Sequence, residues 1–293
     1  MSETALPSAV RSAKPKSRAS TGAGWRRRLG ALILPGYTHL VILWLFAPIF
    51  VMVIFGFNNT HGRLNIVWAG FTLKWFSDPF GVTALTTAVL TSLVTATVGS
   101  FISTVMGTMI ALAAHRYSFR GKALLDAVMV MNIAASEVVM GAALLTLFLA
   151  GAIPLGVITI VIAQVMFSIP FVAITVRARL VGFDRSLEEA AQDLGASPVT
   201  TFMLVTLPII FPGVLAAALL AFALCLDDYV ITSFVAGNVQ TFPLWVYGAT
   251  RLGVPPQVNV IGTFIFLTGA LLAVTFALVR SWRNRQLARE SAA

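Results

Sequence analysis

Cysteine is all but absent from this chain. Cys225 is the single one in 293 residues, so neither a disulfide framework nor a thiolate cluster for a metal can form. Histidine is nearly as scarce: His39, His61 and His115 are scattered singly, and each reads as a structural side chain. Charge is short too, at 11% against 58% hydrophobic residues, where a soluble domain carries roughly 25% charged residues. That excludes an ordinary soluble protein and leaves a membrane protein. A G-x-x-x-x-G-K-[ST] loop is missing, so the chain does not bind ATP in the Walker manner. No Ser, His and Asp set and no Cys and His pair supports a hydrolase. The net charge of +9 does not indicate nucleic acid, because the basic residues sit in short segments beside apolar runs and lack interleaved aromatics.

What is present is a series of long apolar runs. Residues 1–30 read as a disordered, basic cytoplasmic tail. The run that follows is too long for a signal-peptide core and has no small-residue cleavage site after it, so it stays as an anchor. Six spans are expected, at about 37–57, 83–114, 124–150, 155–176, 213–235 and 258–279, within a membrane domain of 31–280 and ahead of a cytoplasmic tail at 281–293. The second span carries Thr95, Gly99, Ser103, Gly107 and Ala111 at four-residue spacing, a stripe that lets helices approach closely in lipid, within the subunit or toward a partner. The stretch between spans five and six, with Gly237, Pro243, Pro255 and Pro256, reads as irregular and partly folded back. With the N-terminus inside, 17 of the 20 basic residues fall in cytoplasmic segments, leaving Arg63, Lys74 and Arg251 outside. This is the bias expected of a multi-pass membrane protein with both ends in the cytoplasm.

The polar segment at about 184–212 stands between spans four and five. Ser186 and Glu189 have capping-box spacing. Leu187, Ala190, Ala191 and Leu194 recur on one face of a short helix, with Glu188, Glu189, Gln192 and Asp193 opposite. Gly195 ends it, Ser197 and Pro198 open a second helix, and Pro208 and Pro212 are expected to bend that helix into the next span. The spacing of Glu189, Ala190, Ala191, Gly195, Val205, Leu207 and Pro208 resembles the signature loop of bacterial ABC-importer permeases, E-A-A-x3-G-x9-I-x-L-P, with Val205 in place of isoleucine. The resemblance implies an all-α, six-span fold of the type I, MetI-like class. It also implies that Glu188, Glu189, Ala190, Ala191, Gly195, Leu207 and Pro208 form a coupling segment seated on a separate ATPase. The partners implied are a second permease subunit, two cytoplasmic ATPase subunits that carry the ATP and Mg, and an extracytoplasmic substrate-binding protein. No cofactor is expected in this chain itself, and no covalent chemistry.

Ionisable residues inside spans are costly and point to function. Glu137, Asp227 and Asp228 form the set. On straight spans, Glu137 lies 13 residues past Leu124 and Asp227 lies 14 past Gly213, which at ~1.5 Å per residue puts both roughly 20 Å deep. Adjacent positions point about 100° apart, so one aspartate faces the path and the other a helix cap or a partner. The bland alternative is that these acids are hydrogen-bonded to neighbours such as Thr232 and Asn132. The runs SEVVMGAALLTLF, LDDYVITSFVAG and TFPLWVYGATRLGVPPQVN are similar to those of the spermidine/putrescine (PotC-type) branch of these permeases, with Cys225 for a usual serine and Tyr229 for phenylalanine. That resemblance, over about 75–280, implies a polyamine path. Spaced carboxylates would take the amines, and aromatic faces from among Tyr229, Phe234, Trp245 and Tyr247 would take the chain between them. A proton-driven secondary transporter would require inverted repeats that the two halves do not show, and a channel would leave the signature loop unexplained.

Overall fold

A computed structural model describes residues 23–60 and 65–290; the tail ahead of Ala23, His61, Arg63 and residues 291–293 lie outside the described residues. Apart from one isolated bridge between Asn58 and Phe71, the regular elements described are helical. Two units are distinguished, one up to Met52 and one from Val53. The first is the helix α1 (Ala23–Gly56), whose final turn belongs to the second unit. It starts inside the segment expected to be disordered. Arginine and leucine are good helix formers, and extending an existing helix needs no new nucleus.

The second unit continues with α2 (Lys74–Ser77), α3 (Thr83–Arg116), α4 (Lys122–Ala134), α5 (Glu137–Ala150), α6 (Val157–Leu180), α7 (Ser186–Asp193) and α8 (Pro198–Thr201). A π-turn (Phe202–Thr206) leads into α9 (Leu207–Asp227), followed by α10 (Val230–Val235), α11 (Phe242–Leu252) and α12 (Pro256–Glu290). Among the described residues, four stretches are long and apolar enough to cross a membrane: Pro35–Gly56, Thr83–Arg116, Val157–Leu180 and Pro198–Asp227.

Three expected spans come out differently. The third is not straight: α4 and α5 are together apolar enough for one span but bend by 110° at their junction, where Ala135 and Ser136 take extended backbone. The fifth begins at Pro198 and stops at Asp227, instead of running 213–235. Pro208 stands in the first turn of α9, where a missing N–H is least costly, and Pro212 lies inside the helix without ending it; the irregularity is the π-turn just before them. At the sixth position, α12 has its described apolar part at Pro256–Leu271. The stretch between them is less irregular than expected, since α11 occupies half of residues 236–257.

The core is a bundle of α3, α6 and α9. Thr95, Gly99, Ser103, Gly107 and Ala111 are all buried, so the small-residue stripe serves packing inside this chain. A methyl at Gly107 would stand 2.6 Å from Val172 Cγ1 and 3.1 Å from the Ile169 carbonyl oxygen, which shows how closely the α3 and α6 backbones approach. Ala111, Val172, Val176, Leu180, Ile210 and Ala217 fill one end of the bundle. A second cluster joins α5 to α6 and α10 through Met140, Leu144, Phe148, Ile160, Ile231 and Val235. There Gly141 leaves room for Phe234, whose Cδ2 would lie 2.5 Å from an added methyl. The segment after α1 is pinned by the buried Asn58. Its Nδ2 donates to Asn65 Oδ1 and to the Val67 carbonyl, both at 2.7 Å, and its Oδ1 accepts from the Ala69 N–H at 2.7 Å.

Candidate functional site: an acidic helix junction and a loop helix

The first site lies where two spans break side by side. A broken helix leaves backbone groups without partners, and in lipid each such group is expensive. Here α6 and Asp228 supply the partners. The Cys225 carbonyl, near the C-terminus of α9, accepts from Gln164 Nε2 at 2.9 Å, and the Val235 carbonyl at the end of α10 accepts from Thr159 Oγ1 at 2.7 Å. At the start of α10, Asp228 Oδ1 accepts from the Ile231 N–H at 3.0 Å. Its Oδ2 accepts from the Thr232 N–H at 3.1 Å and from Thr232 Oγ1 at 2.7 Å. Asp228 is therefore the cap and Thr232 its partner. The other break is braced similarly: Pro170 has no N–H to give the Met166 carbonyl, and Asn132 Nδ2 on α4 reaches that oxygen at 3.4 Å.

Glu137 occupies the first turn of α5, where the positive end of the helix dipole favours a carboxylate. It is exposed, as is Asp227, and both aspartates lie within electrostatic reach of it. The straight-span depth argument fails, because Glu137 stands at a bend and Asp227 at a helix end. The two are brought together by the breaks instead. Among the described residues the ion pairs are Arg116–Glu188 and Arg177–Asp126, and none of them reaches this cluster.

The candidate aromatics separate. The Tyr229 and Tyr247 rings lie 4.7 Å apart. Arg251 covers the Tyr247 ring at 5.2 Å and donates through Nη2 to its hydroxyl at 3.0 Å. Trp245 instead packs against the cluster of Leu85, Val89, Val258 and Ile261, and Phe234 is committed to Gly141. Sequence reasoning missed Arg251, which it treated only as a basic residue left outside. Its position four residues after Tyr247 on a helix was the available signal.

The second site is the loop helix α7. The Ser186–Glu189 capping box is not formed: Ser186 lies inside the helix with Arg185 at the N-cap. Asp184 takes over, its Oδ1 accepting from the Ser186 N–H at 2.9 Å, and that contact holds its carboxyl below the usual carboxylate range. Gly195 ends the helix with φ +89°, a conformation that glycine adopts without strain. Ser197 caps α8 by accepting from the Thr200 N–H at 3.2 Å, with Pro198 at the first position. The amphipathic pattern is real, yet its apolar side is not turned into the bundle: Leu187 is 49% and Leu194 90% exposed. Glu189 and Ala190 are exposed and Ala191 is half-buried. On the inner side, Glu188 Oε1 accepts from Arg116 Nη2 and from Thr206 Oγ1, beside a polar cleft lined by Arg116, Tyr117, Arg185, Glu188, Glu189 and Gln192. Leu207 is half-buried and Pro208 exposed at the start of α9.

This architecture is shared. The fold is similar to that of a bacterial ABC transporter involved in the import of the acidic polysaccharide alginate, with a TM-score of 0.61 at 16% identity over 87% of this chain and 96% of that one. The MetNI methionine ABC transporter gives 0.53 at 17% identity over 67% and 93%. By sequence, the chain is 34% identical over 252 residues to the spermidine/putrescine transport system permease protein PotC of Escherichia coli K12, covering 86% of this chain and 95% of that protein. It is 37% identical over 253 residues to the putrescine transport system permease protein PotI of the same organism, covering 84% and 87%. With the model of the binding-protein-dependent transport system inner membrane component matched across residues 103–290, the chain belongs to that family of permeases.

Proposed function

We propose that this permease carries polyamines, putrescine or spermidine, across the bacterial plasma membrane, driven by ATP hydrolysed on partner subunits. The carrying observation is the junction of Glu137, Asp227 and Asp228 at two adjacent helix breaks, with no ion pair to it among the described residues, in a protein 34% identical to PotC. Glu137 and Asp227 are free to meet amines, while Asp228 keeps the break in shape. Tyr229, next in sequence to Asp228, offers a ring face beside them, while Tyr247 is already engaged by Arg251. A carboxylate away from bulk water attracts an amine more strongly than one in water, and its own desolvation opposes ionisation until that cation arrives.

In this reading the chain pairs with a second permease, and the pair sits on two ATPase subunits that hold ATP and Mg. An extracytoplasmic binding protein delivers the substrate. The exposed Leu187 and Leu194 of α7 are the surface offered to the ATPase, and both chain ends are cytoplasmic. The test is uptake of radiolabelled putrescine and spermidine by the Glu137→Gln, Asp227→Asn, Asp228→Asn variant, alongside recovery of the intact complex. Uptake is expected to be lost while the complex still binds ATP. Normal uptake would refute the polyamine path, and loss of assembly alone would assign the acids to structure.

A further inference from the structure

The helix α7 has no buried residue of its own, so apolar packing does not fasten it to the bundle. What fastens it is polar. The Arg116 and Glu188 side chains are 29% and 13% exposed, and Thr206, which donates to the same Glu188 oxygen, is fully buried. Arg116 Nη2 also lies 3.3 Å from Thr206 Oγ1, which closes a three-membered ring of side chains. Arg185, just ahead of α7, ties the other side by donating to the Arg116 carbonyl at 3.0 Å. Each member belongs to a different element: Arg116 is the last residue of α3, Glu188 lies in the first turn of α7, and Thr206 ends the π-turn. That turn is closed by the Leu207 N–H reaching the Phe202 carbonyl, and such wide turns often mark functional positions in helices. From Thr206, α9 runs for 21 residues without a break to Asp227, a rod of about 30 Å at ~1.5 Å per residue.

We propose that Glu188 is a positioning residue. Held by Arg116 and Thr206, it makes α7, the end of α3 and the head of α9 move as one piece, so that displacement of α7 reaches the acidic junction at the far end of α9. This rests on the reading of α7 as the ATPase contact. Exposed Leu194 and Glu189 face outward for the partner, whereas Glu188 faces inward and transmits.

The test uses the complete transporter in proteoliposomes, with Cys225→Ala and Asp227→Cys introduced so that thiol labelling reports on the junction independently of substrate. ATP is expected to change the labelling rate about tenfold, within the range that coupling between sites ordinarily spans. Adding Glu188→Gln should reduce that response to less than about twofold while the ATPase remains bound. The isosteric Thr206→Val should weaken it in the same direction, and the exchange Arg116→Glu with Glu188→Arg should restore it, which a merely structural loss would not allow. A full response in Glu188→Gln, or failure of the exchange to restore it, overturns the proposal. Loss of the ATPase from Glu188→Gln and from the exchange alike would make Glu188 a direct partner contact, overturning the inference but sparing the coupling reading. Absence of ATPase from the parent transporter would remove both.

Discussion

Asp227 and Asp228 are neighbours in sequence with opposite work. Asp228 accepts three hydrogen bonds at the head of α10, and removing a capping side chain costs about 0.5–2 kcal/mol. Asp227 accepts from no neighbouring side chain and lies exposed at the end of α9. Asp228→Ala should therefore lower the thermal unfolding midpoint of the detergent-solubilised complex, and Asp227→Asn should leave the midpoint unchanged while reducing putrescine uptake. The reverse pattern would exchange the two assignments. That the two point different ways, one of them toward a helix cap or a partner, was legible from the 100° rotation between adjacent positions. Which one was not, because the answer depends on α9 stopping at Asp227. The sole local hint is Thr232, spaced four residues on to share the cap.

At the scale of elements, the small-residue stripe on α3 and the broken third span mark what patterning can and cannot reveal. The stripe was visible as spacing, and its partner became clear only in three dimensions: α6, against which Gly107 has no room for a methyl. Gly107→Ala should lower stability by about 1–3 kcal/mol through overpacking. Gly248→Ala, with nothing within 4 Å of the added methyl, should be neutral or stabilising by up to about 1 kcal/mol. Circular-dichroism melting of the two variants checks the contrast, and equal midpoints would show that α3 and α6 can separate freely. The bend between α4 and α5 left little trace, since hydropathy over the pair is that of a single span. Beyond the bend α5 packs against α10, a tertiary contact beyond the reach of any local window. The loop helix was located correctly by its spacing, but its capping residue was not, because Asp184 competes successfully for the Ser186 N–H.

For the whole molecule, orientation can be tested separately from substrate. Arg116, Arg177 and Arg185 gather at the α7 end of the bundle, where Arg177 holds Asp126 at 2.6 Å and Arg185 holds the end of α3. By the positive-inside rule that end is expected to face the cytoplasm. In a Cys225→Ala background, a membrane-impermeant thiol reagent should label Asn59→Cys and Asn238→Cys in sealed cells and leave Ala196→Cys unlabelled. Labelling at position 196 would invert the topology and detach α7 from any cytoplasmic partner.

The bend at Ala135–Ser136 also bears on how the chain enters the bilayer. Its halves have 13 and 14 residues, about 20 Å each at ~1.5 Å per residue, short of a hydrocarbon core of about 30 Å. Only together do the two halves have the length and apolarity of a span. Ile231 and Val235, against which α5 packs, leave the ribosome long afterwards. The face that α5 turns to α10 therefore has no partner until α10 is made, and a nascent chain halted before Val230 is expected to leave it uncovered.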